Sequence, residues 1–202
     1  MINEPDSAQR NLTAEDCRVQ NERDLIERAQ RNDPKAFAAI YDEYFDKIYR
    51  YTFHRVGNRM EAEDLTQQVF LNAIQSISSY RWRGVPFASW IFRIARNQVI
   101  DFHRKASKAK TTTLDLEIAV VDSDPATMAE QSMDIKWVKG AMASLTQLQQ
   151  EVLSLRFAGE LSTAETAKVM DKNEGAVKAL QHSALTALRK MLLEEESHSR
   201  EV

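Results

Sequence analysis

One cysteine, Cys17, stands in the whole chain, so no disulfide framework can form within it and a cysteine-based metal site is disfavoured. Glycine and proline are scarce, with 5 and 4 copies in 202 residues, which argues against an irregular, turn-rich all-β architecture. No apolar run approaches the ~20 residues needed to span a bilayer, so membrane insertion is not expected. The opening Met-Ile-Asn-Glu-Pro-Asp lacks the charged-then-apolar pattern of an export leader, and a cytoplasmic location is expected. The four histidines (His54, His103, His182, His198) are scattered without ligand spacing, and no metal or cofactor is called for. Acidic side chains such as Asp42, Glu43 and Asp46 lie close together. Even so, no cluster of nucleophile, base and orienting group is visible, nor any glycine-rich phosphate cradle, which speaks against an enzyme.

What the chain does have is helix-forming composition and segregated charge. Hydrophobic residues make up 43%, and Ala, Leu, Glu, Gln and Arg are abundant. The formal charge of −3 hides two opposed blocks. Arg81 to Lys110 carries eight bases against the single acid Asp101; Thr111 to Ile135 carries six acids and no base. A local basic surface of this kind suits phosphate, whatever the overall pI.

The pattern predicts an all-α protein of two small helical domains joined by a flexible acidic linker. Residues 1–22 read as a polar, aperiodic tail. A short helix is expected from Arg23, with Leu25, Ile26 and Ala29 on one side. Asp33-Pro34 caps and opens the next, whose stripe of Phe37, Ile40, Tyr41, Tyr44, Phe45, Ile48, Tyr49 and Thr52 reads as a core face, with Gly57 at its end. Asn58 with Glu61 opens a third helix, burying Ala62, Leu65, Val69, Phe70, Ala73 and Ile77. Its other side carries Asp64, Gln67, Gln68, Leu71 and Asn72, where a leucine among polar groups hints at a partner surface.

Ser76 to Pro86 reads as a loop, yet it places Tyr80 and Trp82 among Arg81 and Arg83. The helix after Pro86, FASWIFRIARNQVIDFHRK, interleaves aromatics (Trp90, Phe92, Phe102) with cations (Arg93, Arg96, Arg104, Lys105). Phosphates attract the cations and unstacked bases the aromatic faces. By periodicity Phe87, Ile91, Ile94, Ala95 and Phe102 face inward, and Arg93, Arg96, Asn97 and Arg104 outward. The domain is expected to span 23–106 and the linker 107–132.

In the C-terminal domain, 133–195, Leu145, Leu148, Val152, Leu153, Leu155 and Phe157 form one apolar stripe ending at Gly159. Ser162 and Glu165 make a capping box for a short helix, and Asp171-Lys172-Asn173 turns the chain into a last helix. Short helix, tight turn and longer helix form a helix-turn-helix pattern. This leaves two readings of the residues: a nucleic-acid-binding protein using both domains, or a one-component helix-turn-helix regulator. The second leaves the Tyr80 to Lys105 surface idle.

Three strings in this order resemble the extracytoplasmic-function sigma factors of the sigma-70 family: AEDLTQQVFLNAI, FASWIFRIARNQVIDFHRK, and LSTAETAKVM with EGAVKALQHSALTALRKML. The resemblance covers roughly Leu25 to Lys105 and Leu145 to Leu193. It implies a non-enzymatic subunit that binds RNA polymerase core, directs it to promoters and helps melt DNA. It places Asp64, Gln67, Gln68 and Leu71 on the clamp of the largest polymerase subunit, and the second domain on the flap of the second-largest. Tyr80, Arg81, Trp82 and Arg83 would lie in the loop that captures a flipped base of the −10 element. Trp90, Arg93, Asn97 and Arg104 would lie along the separated strand. Thr163, Lys178, Gln181, His182 and Ser183 would meet the −35 element, although this helix carries less arginine than many relatives. The linker would thread towards the RNA exit path, with its acids either mimicking nucleic acid or simply solvated. An anti-sigma protein is a further implied partner.

Overall fold

The computed structural model describes residues 14–82, 85–112, 140–142 and 144–199, with side chains described over 19–82, 85–108, 140–142, 144–191 and at 193. Seven α-helices are described: α1 (Ala14–Gln30), α2 (Pro34–Val56), α3 (Arg59–Ser76), α4 (Phe87–Thr112), α5 (Gln147–Leu153), α6 (Thr163–Met170) and α7 (Glu174–Ser199). No strand occurs among the described residues. Arg83 lies outside them, as do residues 1–13 of the expected tail and 113–139, which include most of the expected linker.

Local chemistry sets most helix ends. The Asp33 side chain accepts from the Lys35 amide while Pro34 occupies the first turn of α2. Arg28 donates to the same carboxylate at 2.7 Å and holds its pKa below the usual value. Gly57 closes α2 at φ 75°, a left-handed conformation that glycine adopts without steric penalty. Asn58 caps α3 through the Glu61 amide, Ser162 and Glu165 form a reciprocal box at α6, and the Asn173 side chain accepts from the Ala176 amide at α7.

Helices α1 to α4 form the N-terminal domain. Ile26, Ile40, Ile48, Tyr51, Val69, Phe70, Phe87, Ile91, Phe92 and Val99 are buried together. Between α2 and α3 the hydroxyls of Thr52 and Thr66 meet at 3.0 Å, a polar pair satisfied inside the core. Helices α5 to α7 form the C-terminal domain around Val152, Leu155, Val169, Val177 and Ala184. The two domains pack on each other: α6 lies on α4, and the turn after α5 lies on α2.

Four expectations need correcting. Helix α1 begins at Ala14, so the supposed tail is helical from there; its far end is tied into the fold where the Tyr44 hydroxyl donates to Glu22 at 2.8 Å. Helix α4 runs to Thr112, past the expected start of the linker, because Ala106 to Thr112 contains no glycine or proline to stop it. Phe157 is not a core residue: α5 gives way to a π-helical turn, Ser154–Ala158, which breaks the α-period and leaves Phe157 60% exposed. Tyr41, assigned to the core stripe of α2, is exposed, while Tyr51 on the same helix is fully buried.

Candidate nucleic-acid and polymerase interface

Asp64, Gln67, Gln68 and Leu71 emerge along one face of α3 and are all exposed. Their spacing of three, four and seven residues is that of a single helical face. Leu71 is 52% exposed, and Ile74, one turn further, is equally so. The sequence reading missed Ile74, although its position three residues beyond Leu71 was the available signal. Gln68 donates to Asn72 at 3.0 Å, which steadies the polar part of this face.

The loop between α3 and α4 is anchored rather than free. A 3₁₀ turn, Ile77–Ser79, extends α3, and Tyr80 follows. Tyr80 was expected to offer its ring to a base; it is 4% exposed instead. Its ring packs against Phe87 and Trp90, each at 5.4 Å, and edge-on to Trp82 at 6.4 Å, while its hydroxyl donates to the Val85 carbonyl at 2.7 Å. Burial pushes the Tyr80 hydroxyl pKa well above its ordinary value. The stripe from α4 and the loop converge here because aromatic rings gain from edge and offset contact beyond simple burial.

Gln30 on α1 completes the anchor, its side-chain amide donating to the carbonyls of Ile77 and Tyr80, both at 2.9 Å. Sequence spacing gave no hint of it, since the partners lie 47 and 50 residues away. Arg23, Ile26, Glu27, Gln30, Tyr80, Arg81 and Trp82 line a cavity of about 320 Å³ between α1 and the loop. Arg81 is exposed but folds back on the carbonyls of Ser78 and Tyr80. Trp82 is half-buried against the core.

Helix α4 separates its side chains into three sets. Phe87, Ile91, Ala95 and Val99 hold the domain together. Trp90 is half-buried against Phe87 at 5.2 Å, with Asn97 and Arg104 exposed; Arg104 pairs with Asp101 at 2.9 Å. Phe92, read as an available aromatic face, is fully buried, while Phe102, read as core, is only half-buried against His103. The cause lies in tertiary packing: Phe92 sits edge-on to Tyr51 and under the C-terminal domain. Arg93 is exposed overall but donates to the Lys168 carbonyl at 2.6 Å. Arg96 pairs with the buried Glu151 at 2.5 Å.

In the C-terminal domain Lys178, His182 and Ser183 are exposed on α7, and Thr163 is half-buried at the start of α6. Two of the expected DNA-facing groups are engaged at home. Gln181 accepts from Arg156 at 3.1 Å, and the Ser183 hydroxyl accepts from Gln149 at 3.0 Å. Arg156 also donates to the Leu161 carbonyl, so it braces α7 against the turn before α6. No cluster of three or more metal-ligating side chains occurs among the described residues, and no described helix is long and apolar enough to cross a membrane.

Comparison with known proteins matches residues 40–109 to sigma-70 region 2 and residues 141–190 to sigma-70 region 4. The region 2 match removes the one-component regulator reading, which gave the first domain no such role. The chain is 41% identical over 172 residues to the ECF RNA polymerase sigma factor BldN of Streptomyces coelicolor, covering 84% of this chain and 65% of that protein's length. It is 34% identical to SigW of Bacillus subtilis, covering 83% of this chain and 94% of the relative. The fold resembles that of CnrH, solved with the cytosolic domain of CnrY, at a TM-score of 0.64 and 19% identity over 85% of this chain and 96% of that one. It also resembles the sigma factor RpoE of Bartonella quintana, solved with the anti-sigma factor NepR, at 0.67 and 23% over 78% and 97%. With both regions matched in order and the relatives spanning most of its length, the chain belongs to the ECF sigma factors, the sigma-70-type subunits that direct RNA polymerase to promoters.

Proposed function

We propose a division of labour in which α3 holds the polymerase, the loop with α4 takes the melted strand, and α6 with α7 reads the upstream element. The observation that carries it is the outward face of α3. An exposed leucine and isoleucine framed by Asp64, Gln67 and Gln68 stand outside the buried core, and an apolar centre with a polar rim suits the clamp of core polymerase. The C-terminal domain takes the flap of the second-largest subunit.

Strand capture without nucleotide hydrolysis requires that unpaired bases be stabilised. Unstacking costs on the order of a few kcal/mol per step. Stacking on an aromatic side chain returns about 1–3 kcal/mol per base. With Tyr80 committed to the core, Trp82 and the exposed edge of Trp90 are the stacking groups, and Arg81, Arg83, Arg93 and Arg104 neutralise phosphate. The cavity beside Trp82 gives a displaced base somewhere to go. On α7, Lys178 and His182 approach the major groove, Ser183 and Thr163 approach phosphate, and Gln181 braces the helix through Arg156.

The protein works in the cytoplasm, where core polymerase is, and an anti-sigma protein is its inhibitor, as NepR is paired with RpoE. The test is a core-binding assay beside strand-opening footprints. Leu71→Asp should lose core binding with an unchanged fold. Arg93→Ala and Asn97→Ala should assemble normally and open promoters poorly. Normal core binding by Leu71→Asp would remove α3 from the proposal.

A further inference from the structure

Arg23, Ile26, Glu27 and Gln30 stand on one face of α1, at helical spacing of three, four and seven, and that face walls the cavity beside the loop. Tyr80, Arg81 and Trp82 wall it from the loop side. At about 320 Å³ the cavity lies at the small end of the range for ligand sites. Its polar groups are of two kinds. Some hold the loop: the Gln30 amide donates to the Ile77 and Tyr80 carbonyls, the Tyr80 hydroxyl to the Val85 carbonyl, and Arg81 Nη1 to the Ser78 and Tyr80 carbonyls. The others are a charged pair, Arg23 Nε donating to Glu27 Oε1 at 3.3 Å, with both side chains about half exposed. An exposed pair of this kind contributes little to stability, so both groups can turn to a ligand at small cost.

We propose that α1 is the base-reading half of the strand-capture site: Arg23 and Glu27 distinguish the base held against Trp82, and Gln30 positions the loop that holds it. The inference rests on the strand-capture reading of the loop. Trp82 and Ile26 give the cavity the apolar surface that a flat ring requires. Two cations and one carboxylate line it, and Glu27 would repel a phosphate, so the set suits the edge of a base rather than its backbone. Arg23 and Glu27 offer a donor beside an acceptor, the complement of a Watson–Crick edge. Cytosine and adenine carry an amino donor next to a ring-nitrogen acceptor, and guanine carries two donors next to a carbonyl. Each can donate to Glu27 while accepting from Arg23. Thymine has one N–H between two carbonyl oxygens, so a carboxylate that reaches the N–H also meets an oxygen. The pair therefore admits amino-bearing bases and rejects thymine.

The test uses the holoenzyme on a fork template whose promoter comes from mapped start sites and whose non-template strand is unpaired across the melted segment. Cytosine and thymine are exchanged at each unpaired position in turn, so no pairing energy enters the comparison. In the wild type one position should bind about tenfold more weakly with thymine than with cytosine, the discrimination expected of one well-placed polar pair. Glu27→Gln supplies an amide that can meet either base and should bring that ratio close to one. Arg23→Gln should do the same. Core binding and the ratios at other positions should stay unchanged. Gln30→Met keeps the side-chain length and loses both donors; it should weaken binding of either base while core binding holds. The absence of such a position in the wild type, an unchanged ratio in either pair variant, or an equal loss on both bases overturns the reading role. Undiminished fork binding by Gln30→Met overturns the positioning role. Trp82→Ala sets the strand-capture reading apart. If it binds the fork as tightly as the wild type, that reading fails; if it binds weakly while Glu27→Gln keeps the wild-type ratio, strand capture stands and the role of α1 falls.

Discussion

Tyr80 holds its loop by ring and hydroxyl together, and the two can be tested apart. Tyr80→Phe keeps the packing and loses the bond to Val85, which should cost about 0.5–1.5 kcal/mol in denaturant unfolding. Tyr80→Ala should cost about 3–5 kcal/mol, as for other buried aromatics. A near-zero cost for both would mean the ring is not the loop's anchor. His54 and His103 offer a second test. Desolvation, then Arg50 beside His54 and Arg55 beside His103, holds both pKa values below the ordinary 6.5. The unfolded chain therefore binds protons first as pH falls, so the contribution of these two groups to stability is present above the ordinary 6.5 and declines below it, until the folded-state pKa values are passed. Thermal melts of His54→Gln with His103→Gln should show a flatter decline over that window than the wild type. At this scale the sequence resolved much of the inward side of α4, with Phe87, Ile91 and Ala95 buried as expected, but not the placement of every aromatic. Phe92 and Phe102 exchange their expected places because the burial of Phe92 depends on Tyr51 and Gly159, distant in sequence.

Helix boundaries set by local chemistry were legible, as Asp33-Pro34, Asn58, Ser162 with Glu165, and Asn173 demonstrate. Ser162→Ala should cost about 1 kcal/mol, read from the denaturation midpoint, since it removes the acceptor for the Glu165 amide. An unchanged midpoint would show the cap to be redundant. The π turn at Ser154–Ala158 was not legible, because its conformation is fixed by contacts on both sides, including Arg50 on the Ala158 carbonyl. The outward face of α3 was legible because its side chains obey one periodicity and need no distant partner. Leu71→Ala should change stability by no more than about 0.5 kcal/mol, as surface substitutions do, while weakening core binding in a pull-down. A large loss of stability would make Leu71 a packing residue instead.

The described residues form two helical domains whose order along the chain follows from sequence and whose mutual packing does not. Arg96 and Glu151 stand 55 residues apart, and Arg50 and Glu160 110 apart, so no local pattern pairs them. Nor does the basic block of α4 announce that part of it meets the chain's own backbone carbonyls. Membership of the ECF sigma factors makes the chain a subunit that directs RNA polymerase to promoters, so specific promoter binding is predicted to depend on core enzyme. The measurement that bears most directly on this is transcription in vitro with core polymerase on genomic templates, start sites mapped, beside specific DNA binding by the chain alone. Addition of core should produce initiation at defined start sites and a large gain in specific binding. Equal specific binding with and without core, or no defined initiation when both are present, would contradict it.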